Sequence, residues 1–282
     1  MKNSWSYLKR KSPDMVLEAV MLILAAVMMI PVYYLIVTTL KTPEEATFSP
    51  LGLPHAITFE NYIRAWTKMN YPNVFKNNFL ITFCSVTGII LISSMAAYVI
   101  ARRPNRLNRV IYFIFLSGIM VPFQMAIIPL YRLVASLGLM DRIWGVIVIV
   151  IFAVNLPFSI FLFRGFVVTI PYELEEAALI DGCTVNRTFW QIVFPLMKPV
   201  IATVAILDSL SIWNDFLTPL LFLQTRKNQV ILQEVYRNIG QFQTNWTAFF
   251  PMMVLGVAPL LVFYLLMQKY IIKGIVSGSV KG

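Results

Sequence analysis

The chain has 282 residues, of which 59% are hydrophobic and 13% are charged, and it carries a formal net charge of +10. A soluble domain could not cover so much apolar surface, so the composition excludes one and indicates a protein whose solvent is lipid. Nucleic acid is excluded as the partner of the positive charge, because Lys and Arg are divided by loop between apolar stretches, as membrane orientation predicts.

Six apolar segments are long enough to cross a bilayer, since a helical span needs about 20 residues. They are about Leu17–Leu40, Asn78–Ala101, Val110–Val134, Ile143–Arg164, Val200–Leu223 and Ala248–Tyr270. They use most of the chain, so we predict an all-α integral membrane protein with six transmembrane helices. Residues 1–282 are expected to form one transmembrane domain.

The distribution of positive charge predicts the orientation. Of the 23 Lys and Arg residues, 14 lie in the amino-terminal segment, the loops after the second and fourth spans, and the tail. Since Lys and Arg accumulate on the cytoplasmic side, both termini and the loop of about residues 165–199 are predicted to be cytoplasmic. The third span contains Pro122 and Pro129, which predict a broken or strongly bent helix.

The loop of about residues 165–199 holds four of the thirteen acidic residues. Pro171 suits the first position of a helix, and the acidic residues that follow favour its macrodipole. Gly182 is expected to end this helix in the left-handed conformation, and a second short helix at about Asn186–Ile192 is expected to end before Pro195.

We interpret this helix–turn–helix as a docking surface for another protein, with an amphipathic connector as the alternative. Its small alanines would allow a partner to approach closely. The residues assigned to the surface are Glu173, Glu175, Glu176, Ala177, Ala178, Leu179, Asp181 and Gly182.

The fifth span is the richest in polar side chains, which are costly in a membrane and tend to face a cavity or a partner. Its candidate residues are Asp208, Ser211, Trp213, Asn214 and Asp215. At 100° per residue, Asp208, Ser211 and Asp215 share one face. We interpret this strip as part of a path for hydroxyl-rich ligands; a hydrogen-bonded seam between helices is the alternative. Gln124 of the third span is added to the candidate path, although packing is the favoured interpretation for it.

The sequence offers no set of residues typical of an enzyme or a metal centre. It has one histidine, His55, and two cysteines, Cys84 and Cys183, without metal-ligand spacing. The phosphate-binding pattern G-x-x-x-x-G-K-[ST] is also missing. We therefore expect no catalysis, no metal and no cofactor bound by this chain. Six helices are few for a stand-alone transporter, so we expect one part of an assembly.

The loop also carries a known pattern, E-A-A-x3-G-x9-I-x-L-P, in Glu176-Ala177-Ala178, Gly182, Ile192 and Pro195, with Phe194 in place of leucine. In this the chain resembles the permeases of ATP-binding-cassette importers. Trp213-Asn214-Asp215-Phe216 and the tail Gly278–Gly282 are similar to segments of carbohydrate importer permeases of the MalG-like type. The resemblance extends from about the first span to the last residue.

This resemblance implies the type I ABC importer permease fold (MetI-like or MalG-like), with Glu173–Gly182 as a cytoplasmic coupling helix. It implies a heterodimer with a second, MalF-like permease. The other expected partners are two ATP-binding-cassette ATPase subunits that bind ATP and Mg, an extracytoplasmic solute-binding protein, a sugar and membrane lipid. The chain is then expected in the cell membrane of a bacterium or archaeon. Tail residues Gly278, Ser279 and Lys281 are a further candidate contact with the ATPase.

Two alternatives stay open. One is an importer permease for a non-sugar solute such as an amino acid, a peptide or an oxyanion. The other is a membrane receptor or scaffold whose cytoplasmic loop recruits a signalling partner, and which predicts no solute flux.

Overall fold

The computed structural model describes residues 4–239 and 245–279, with side chains described for Met15, 17–239 and 245–268. Every regular element in these ranges is helical. The α-helices are α1 (Ser4–Thr39), α2 (Pro43–Phe48), α3 (Glu60–Lys68), α4 (Tyr71–Arg102), α5 (Arg106–Met120), α6 (Ile127–Ser136), α7 (Ile143–Ile149), α8 (Leu156–Val167), α9 (Glu173–Ile180), α10 (Val185–Thr188), α11 (Phe194–Leu196), α12 (Lys198–Trp213), α13 (Leu217–Phe222), α14 (Ile231–Ile239) and α15 (Trp246–Ser279).

Four of the described helices are long and apolar enough to cross a membrane. They are Leu17–Thr39, Tyr71–Arg102, Ile143–Val167 and Trp246–Gln268. Two bent pairs also pass this test, Arg106–Met120 with Phe123–Ser136, bent by 99°, and Val185–Leu196 with Lys198–Trp213, bent by 73°. Counting each pair as one span gives six, the number predicted from the sequence.

The predicted bend in the third span is confirmed. The helix α5 ends at Met120, and Pro122 has an extended backbone with ψ 130°. The chain restarts in a 3₁₀ turn at Phe123–Ala126 before α6. Proline supplies no backbone donor, so the helical hydrogen bonds cannot run through this position.

The helix of the fifth predicted span ends earlier than expected. The helix α12 ends at Trp213, and α13 begins only at Leu217. Between them the Asp215 carboxylate accepts a hydrogen bond from the backbone N–H of Thr218 at 3.1 Å. Aspartate favours such local caps over the helix interior, so the prediction of one uninterrupted helix over Val200–Leu223 is wrong.

Two π-helical segments lie just ahead of prolines. Phe189–Val193 precedes Pro195, and Val150–Asn155 precedes Pro157. In the first, the N–H of Phe194 donates to the carbonyl of Phe189, five residues back. The wider π-helical turn tolerates the loss of the backbone N–H that proline cannot supply. The prediction that the second loop helix ends before Pro195 is therefore wrong, because α11 continues through that residue.

The described residues form two compact units. One comprises residues up to Met69 together with Arg237–Leu255, and in it the buried Asn61 amide donates to the carbonyls of Thr39 and Lys41 at 3.0 and 2.8 Å. These bonds hold the chain that follows α1 against α3.

The other unit comprises Asn70–Tyr236 and the chain from Gly256 onward. In this unit α4 packs against α8, α12 and α7. Ile89, Phe163 and Val204 are among its buried core side chains. Because α4 touches several spans, it is the central helix of this unit.

Asp141 fixes the loop that follows α13. It has a positive φ of 55°, and its carboxylate accepts from the backbone N–H groups of Gln224 and Thr225, each at 2.9 Å. The Asn228 side chain donates to the Asp141 carbonyl at 2.6 Å. Burial tends to raise the pKa of the Asp141 carboxyl, but the hydrogen bonds from Thr225 and Gln224 outweigh it and hold that pKa below its ordinary value.

Candidate functional site

The helix α9 is the centre of the predicted docking surface. It begins at Glu173 rather than at Pro171, and the carbonyl of Tyr172 accepts from the N–H groups of Glu175 and Glu176 at 2.9 and 3.1 Å. Three glutamates lie in its first turn, where negative charge is favoured by the helix macrodipole. Pro171 lies just before the cap and directs the chain into the helix.

The predicted end of α9 at Gly182 is confirmed. Gly182 has φ +83°, and its N–H donates to the carbonyl of Leu179 at 3.1 Å. The N–H of Cys183 donates to the carbonyl of Ala178 at 2.9 Å. This pair of bonds is the Schellman motif, and it needs the left-handed backbone that glycine adopts without strain.

One face of α9 is open. Its exposed residues are Glu173, Leu174, Glu176, Ala177, Leu179 and Ile180, with Asp181 at the end. The Ile180 side chain is 86% exposed although it is apolar. The sequence interpretation did not assign Leu174 and Ile180 to the surface, and the signal for them was their apolar character within a polar loop. An exposed apolar patch rimmed by carboxylates is typical of a protein-binding surface.

The opposite face of α9 packs inside the chain. Glu175 and Ala178 are buried, at 3% and 5% exposure. The Glu175 carboxylate accepts from Arg102 Nε at 2.6 Å and from Tyr98 Oη at 2.8 Å. Arg102 Nη2 also donates to the carbonyl of Ile170 at 2.8 Å. Of the residues assigned to docking, these two therefore face the inside of the chain, and the sequence interpretation did not foresee the partners of Glu175 on α4.

The last residues of the loop pattern lie in the helical stretch that follows α10. Ile192 and Pro195 are half-buried, in the π-helical segment and in α11. The neighbouring Phe194 ring contacts the rings of Phe189 and Trp190, with centroids 5.9 and 5.0 Å apart. This aromatic cluster fixes the turn into α12.

Three of the six predicted path residues meet at one cavity. Its volume is about 190 Å³, and its polar lining comprises Gln124, Asn155, Ser211, Asp215 and Thr218. The apolar lining comprises Phe123, Val154, Ile212 and Leu217. Hydroxyl, amide and carboxylate groups beside an aromatic ring can bind the hydroxyls and the apolar faces of a sugar.

Asp208 lies elsewhere. It is 2% exposed, and its two oxygens accept from Asn155 Nδ2 at 3.0 Å and from Ser159 Oγ at 2.9 Å. These bonds join α12 to the helical stretch that contains α8, so the seam interpretation fits Asp208 better than the path interpretation. The shared face predicted for Asp208 and Asp215 is wrong, because α12 ends at Trp213 and the 100° rotation does not continue to Asp215.

Trp213 and Asn214 do not line this cavity. The Trp213 indole is buried and donates to the carbonyl of Gly256 at 3.2 Å. Asn214 is exposed, and its amide donates to the carbonyl of Leu210 at 3.0 Å. The first residue packs α12 against α15, and the second caps α12.

The tail candidates cannot be described in the same detail. Gly278 and Ser279 belong to the last turn of α15, in the part of the helix whose side chains are not described. Lys281 lies outside the described residues. Within the residues that were searched, no group of three or more His, Cys, Asp or Glu side chains could hold a metal ion.

The comparison with protein families matches residues 88–277 to the binding-protein-dependent transport system inner membrane component. The chain is 35% identical over 261 residues to the melibiose/raffinose/stachyose import permease protein MelC of Bacillus subtilis, covering 92% of this chain and 94% of that protein. It is 32% identical to the probable starch degradation products transport system permease protein AmyC of Thermoanaerobacterium thermosulfurigenes, covering 92% and 94%.

A solved structure has the same fold. It is a bacterial ABC transporter involved in the import of the acidic polysaccharide alginate, and one of its chains matches with a TM-score of 0.82 and 24% identity. The match covers 93% of this chain and 97% of that chain. The all-helical importer permease fold expected from the sequence is therefore confirmed.

The chain belongs to the family of binding-protein-dependent transport system inner membrane components. It is a multi-pass membrane protein and a permease subunit of an ABC importer, and its resemblance to the carbohydrate branch is confirmed. The family works, in general, with a partner permease, an ATPase and a solute-binding protein.

Proposed function

We propose that this permease carries an oligosaccharide, and that it forms the translocation path together with a second, MalF-like permease. Support comes from the functions named for its relatives, which include import of melibiose, raffinose and stachyose, and uptake of diacetylchitobiose. The sugar-compatible cavity of Gln124, Ser211 and Asp215 adds an observation from the chain itself. Sugar is delivered by an extracytoplasmic solute-binding protein.

ATP hydrolysis is assigned to the partners. Two ATP-binding-cassette subunits hold ATP and Mg, and this chain supplies neither a phosphate-binding loop nor a reactive set of residues. Both termini and α9 then face the cytoplasm, in keeping with the excess of Lys and Arg on those segments. The tail, with Gly278, Ser279 and Lys281, is a second candidate contact with an ATPase subunit.

The observation that supports coupling to the ATPase subunits is the exposed face of α9. Leu174 and Ile180 offer apolar surface that can enter a groove on an ATPase subunit. Glu173 and Glu176 offer carboxylates that can pair with cations at the rim of that groove. Closure of the ATPase subunits on ATP would draw this helix along, and the packed spans would pass the movement to the membrane cavity. The assembly is then a two-state element that nucleotide biases at one end and loaded binding protein at the other.

The test is uptake by the complete complex in proteoliposomes, with binding protein and a mixture of radiolabelled raffinose, diacetylchitobiose and arabinooligosaccharides. Glu176→Lys should lower uptake at least tenfold while the chain stays in the membrane, because it places a cation where the partner is expected to carry one. Glu44→Lys is the matched control, an exposed glutamate in the first turn of α2.

Two results would contradict the proposal. Uptake of an amino acid or an oxyanion in place of every sugar in the mixture would assign the non-sugar alternative. Copurification of the chain without ATPase subunits, and without solute flux, would assign the receptor alternative.

A further inference from the structure

We propose that Tyr98, Arg102 and Glu175, together the Glu175 clamp, are positioning residues that carry the movement of α9 into α4. The inference rests on the proposed function, since it concerns how the coupling helix acts on the membrane helices. It assigns a role to two side chains of α4 that lie outside the loop pattern.

The clamp is a closed set of directional bonds. Glu175 and Arg102 side chains are only 4% and 14% exposed, and both Glu175 oxygens are occupied, by Arg102 Nε at 2.6 Å and by Tyr98 Oη at 2.8 Å. Tyr98 and Arg102 are four residues apart on α4, so both donors leave one face of that helix. A carboxylate held at both oxygens by one rigid helix can neither rotate nor slide without breaking a charge-assisted bond.

Arg102 extends the clamp beyond Glu175. Its Nη2 donates to the carbonyl of Ile170 at 2.8 Å, and its guanidinium lies 5.7 Å from the centre of the Tyr172 ring. Ile170 and Tyr172 precede α9, whereas Glu175 lies inside it. Arg102 therefore contacts both α9 and the turn that leads into it. Two points of contact fix the direction of α9 as well as its position.

Among the described residues, the hydrogen bonds between α9 and α4 all end on Glu175. A cavity of about 260 Å³ lies beside the clamp, lined on the α4 side by Val99 and Arg103 and on the other side by Leu179 and Val185. Ala178, the other buried residue of α9, has only a methyl group to offer. The other connection runs through Phe189, whose ring centre lies 5.1 Å from that of Tyr98, and it is an apolar contact without directional bonds. We therefore assign the transfer of movement from α9 to α4 to the Glu175 clamp.

The connection from α9 through the Glu175 clamp and α4 ends at the candidate sugar path. The helix α4 packs against α8, α12 and the π-helical segment Val150–Asn155. Asn155 and Ser211, on that segment and on α12, line the cavity assigned to sugar. A displacement of α4 at Arg102 is thus applied to the helices that shape the path.

A buried ion pair is a costly way to gain stability, because well-packed apolar residues of the same volume often serve as well or better. Its bonds, however, are short and directional, so it holds one geometry where an apolar contact would slip. This difference is the reason to assign the pair to positioning rather than to stability alone.

The experiment uses the reconstituted complex and measures three quantities for each variant: the amount of assembled complex, the ATPase rate, and uptake of the same sugar mixture. Arg102→Gln should assemble and hydrolyse ATP within about twofold of the wild-type rate, while the sugar imported per ATP falls at least tenfold. Tyr98→Phe, which removes one of the two bonds, should lower this ratio by a smaller factor. The double variant with the exchanged pair, Arg102→Glu with Glu175→Arg, should import at least three times as much sugar per ATP as Arg102→Gln.

A matched control is the exposed pair Glu60 and Arg64, also joined by a hydrogen-bonded ion pair. Removing its charge with Arg64→Gln should leave the ratio unchanged. The inference is overturned if Arg102→Gln and Tyr98→Phe both import as much sugar per ATP as the wild type. It is also overturned if assembly, ATPase rate and uptake fall in parallel, since that pattern belongs to a purely structural role.

Failure of the clamp and failure of the proposed function give different results. If the wild-type complex imports none of the sugars, the proposed function fails. If the wild type imports sugar and Glu176→Lys abolishes import, while Arg102→Gln imports normally, only the clamp fails.

Discussion

At the scale of single residues, burial separates neighbours that look alike in the sequence. Glu175 and Glu176 are adjacent glutamates, yet the first is 3% exposed and ion-paired while the second is open to a partner. Asp208 and Asp215 belong to the same polar run, yet the first bonds Asn155 and Ser159 and the second lines the cavity. The type of a residue sets its chemistry, whereas its neighbours in space decide whether it packs inside the chain or is open to a partner or ligand.

The stability of the loop held by Asp141 is expected to depend on pH. Because its folded pKa is lowered, its contribution to stability is complete above the unfolded value of about 3.9 and is lost as the pH falls through the folded value. The protection of the Gln224 and Thr225 amides against hydrogen exchange, taken relative to the intrinsic rate at each pH, should therefore fall in the wild type as the pH is lowered below about 3.9.

Asp141→Asn is the comparison, because asparagine tolerates a positive φ and keeps an acceptor oxygen but does not titrate. In this variant the same amides should show only the intrinsic dependence. An equal loss of protection in both proteins would mean that the Asp141 carboxylate does not control this loop.

At the scale of elements, caps and breaks set the helices that matter. The helix α9 ends in a Schellman motif at Gly182, and α12 stops at Trp213 because Asp215 caps the next helix. The two π-helical segments allow helices to continue into Pro157 and Pro195. Sequence rules predicted the glycine stop and the Pro122 break, since both follow from one residue's backbone. They missed the π-helical segments, because those depend on carbonyls finding new partners.

Gly182→Val tests the cap. No atom lies within 4 Å of the position that a Cβ would take, so the penalty is the left-handed backbone alone, about 1–2 kcal/mol. The turn after α9 should loosen, and sugar uptake should fall while the chain still inserts. Gly165→Ala, in α8, also has open space and has no positive φ, so it is the matched control. Equal uptake by Gly182→Val and the wild type would mean that the cap at Gly182 is not needed for coupling.

At the scale of the whole molecule, the second unit combines the candidate docking helix α9, the central helix α4 and a polar cavity. The cavity brings together Gln124 from the third predicted span with Ser211 and Asp215 from the fifth. Such convergence of polar groups from separate helices is what a ligand site in a helical bundle requires.

Ser211→Ala is the test at this scale. Loss of one neutral hydrogen bond to sugar is worth about 0.5–1.5 kcal/mol, so apparent affinity for the transported sugar should fall roughly twofold to tenfold. Assembly and ATPase rate should not change. Ser136→Ala is the control, because its exposed hydroxyl bonds only the carbonyl of Leu133 in its own helix. Unchanged uptake kinetics in Ser211→Ala would favour packing as the role of this polar strip.

The sequence by itself determined the membrane class, the six apolar segments, the helix that carries the loop pattern and the family, because hydropathy, helix caps and a loop pattern are local properties of the chain. The tertiary structure alone decided which face of α9 is open and which side chains hold the other. Arg102 and Glu175 are 73 positions apart, and Asn155 and Asp208 are 53 apart. Periodicity within one helix cannot report such pairs, because they form only when separate helices pack.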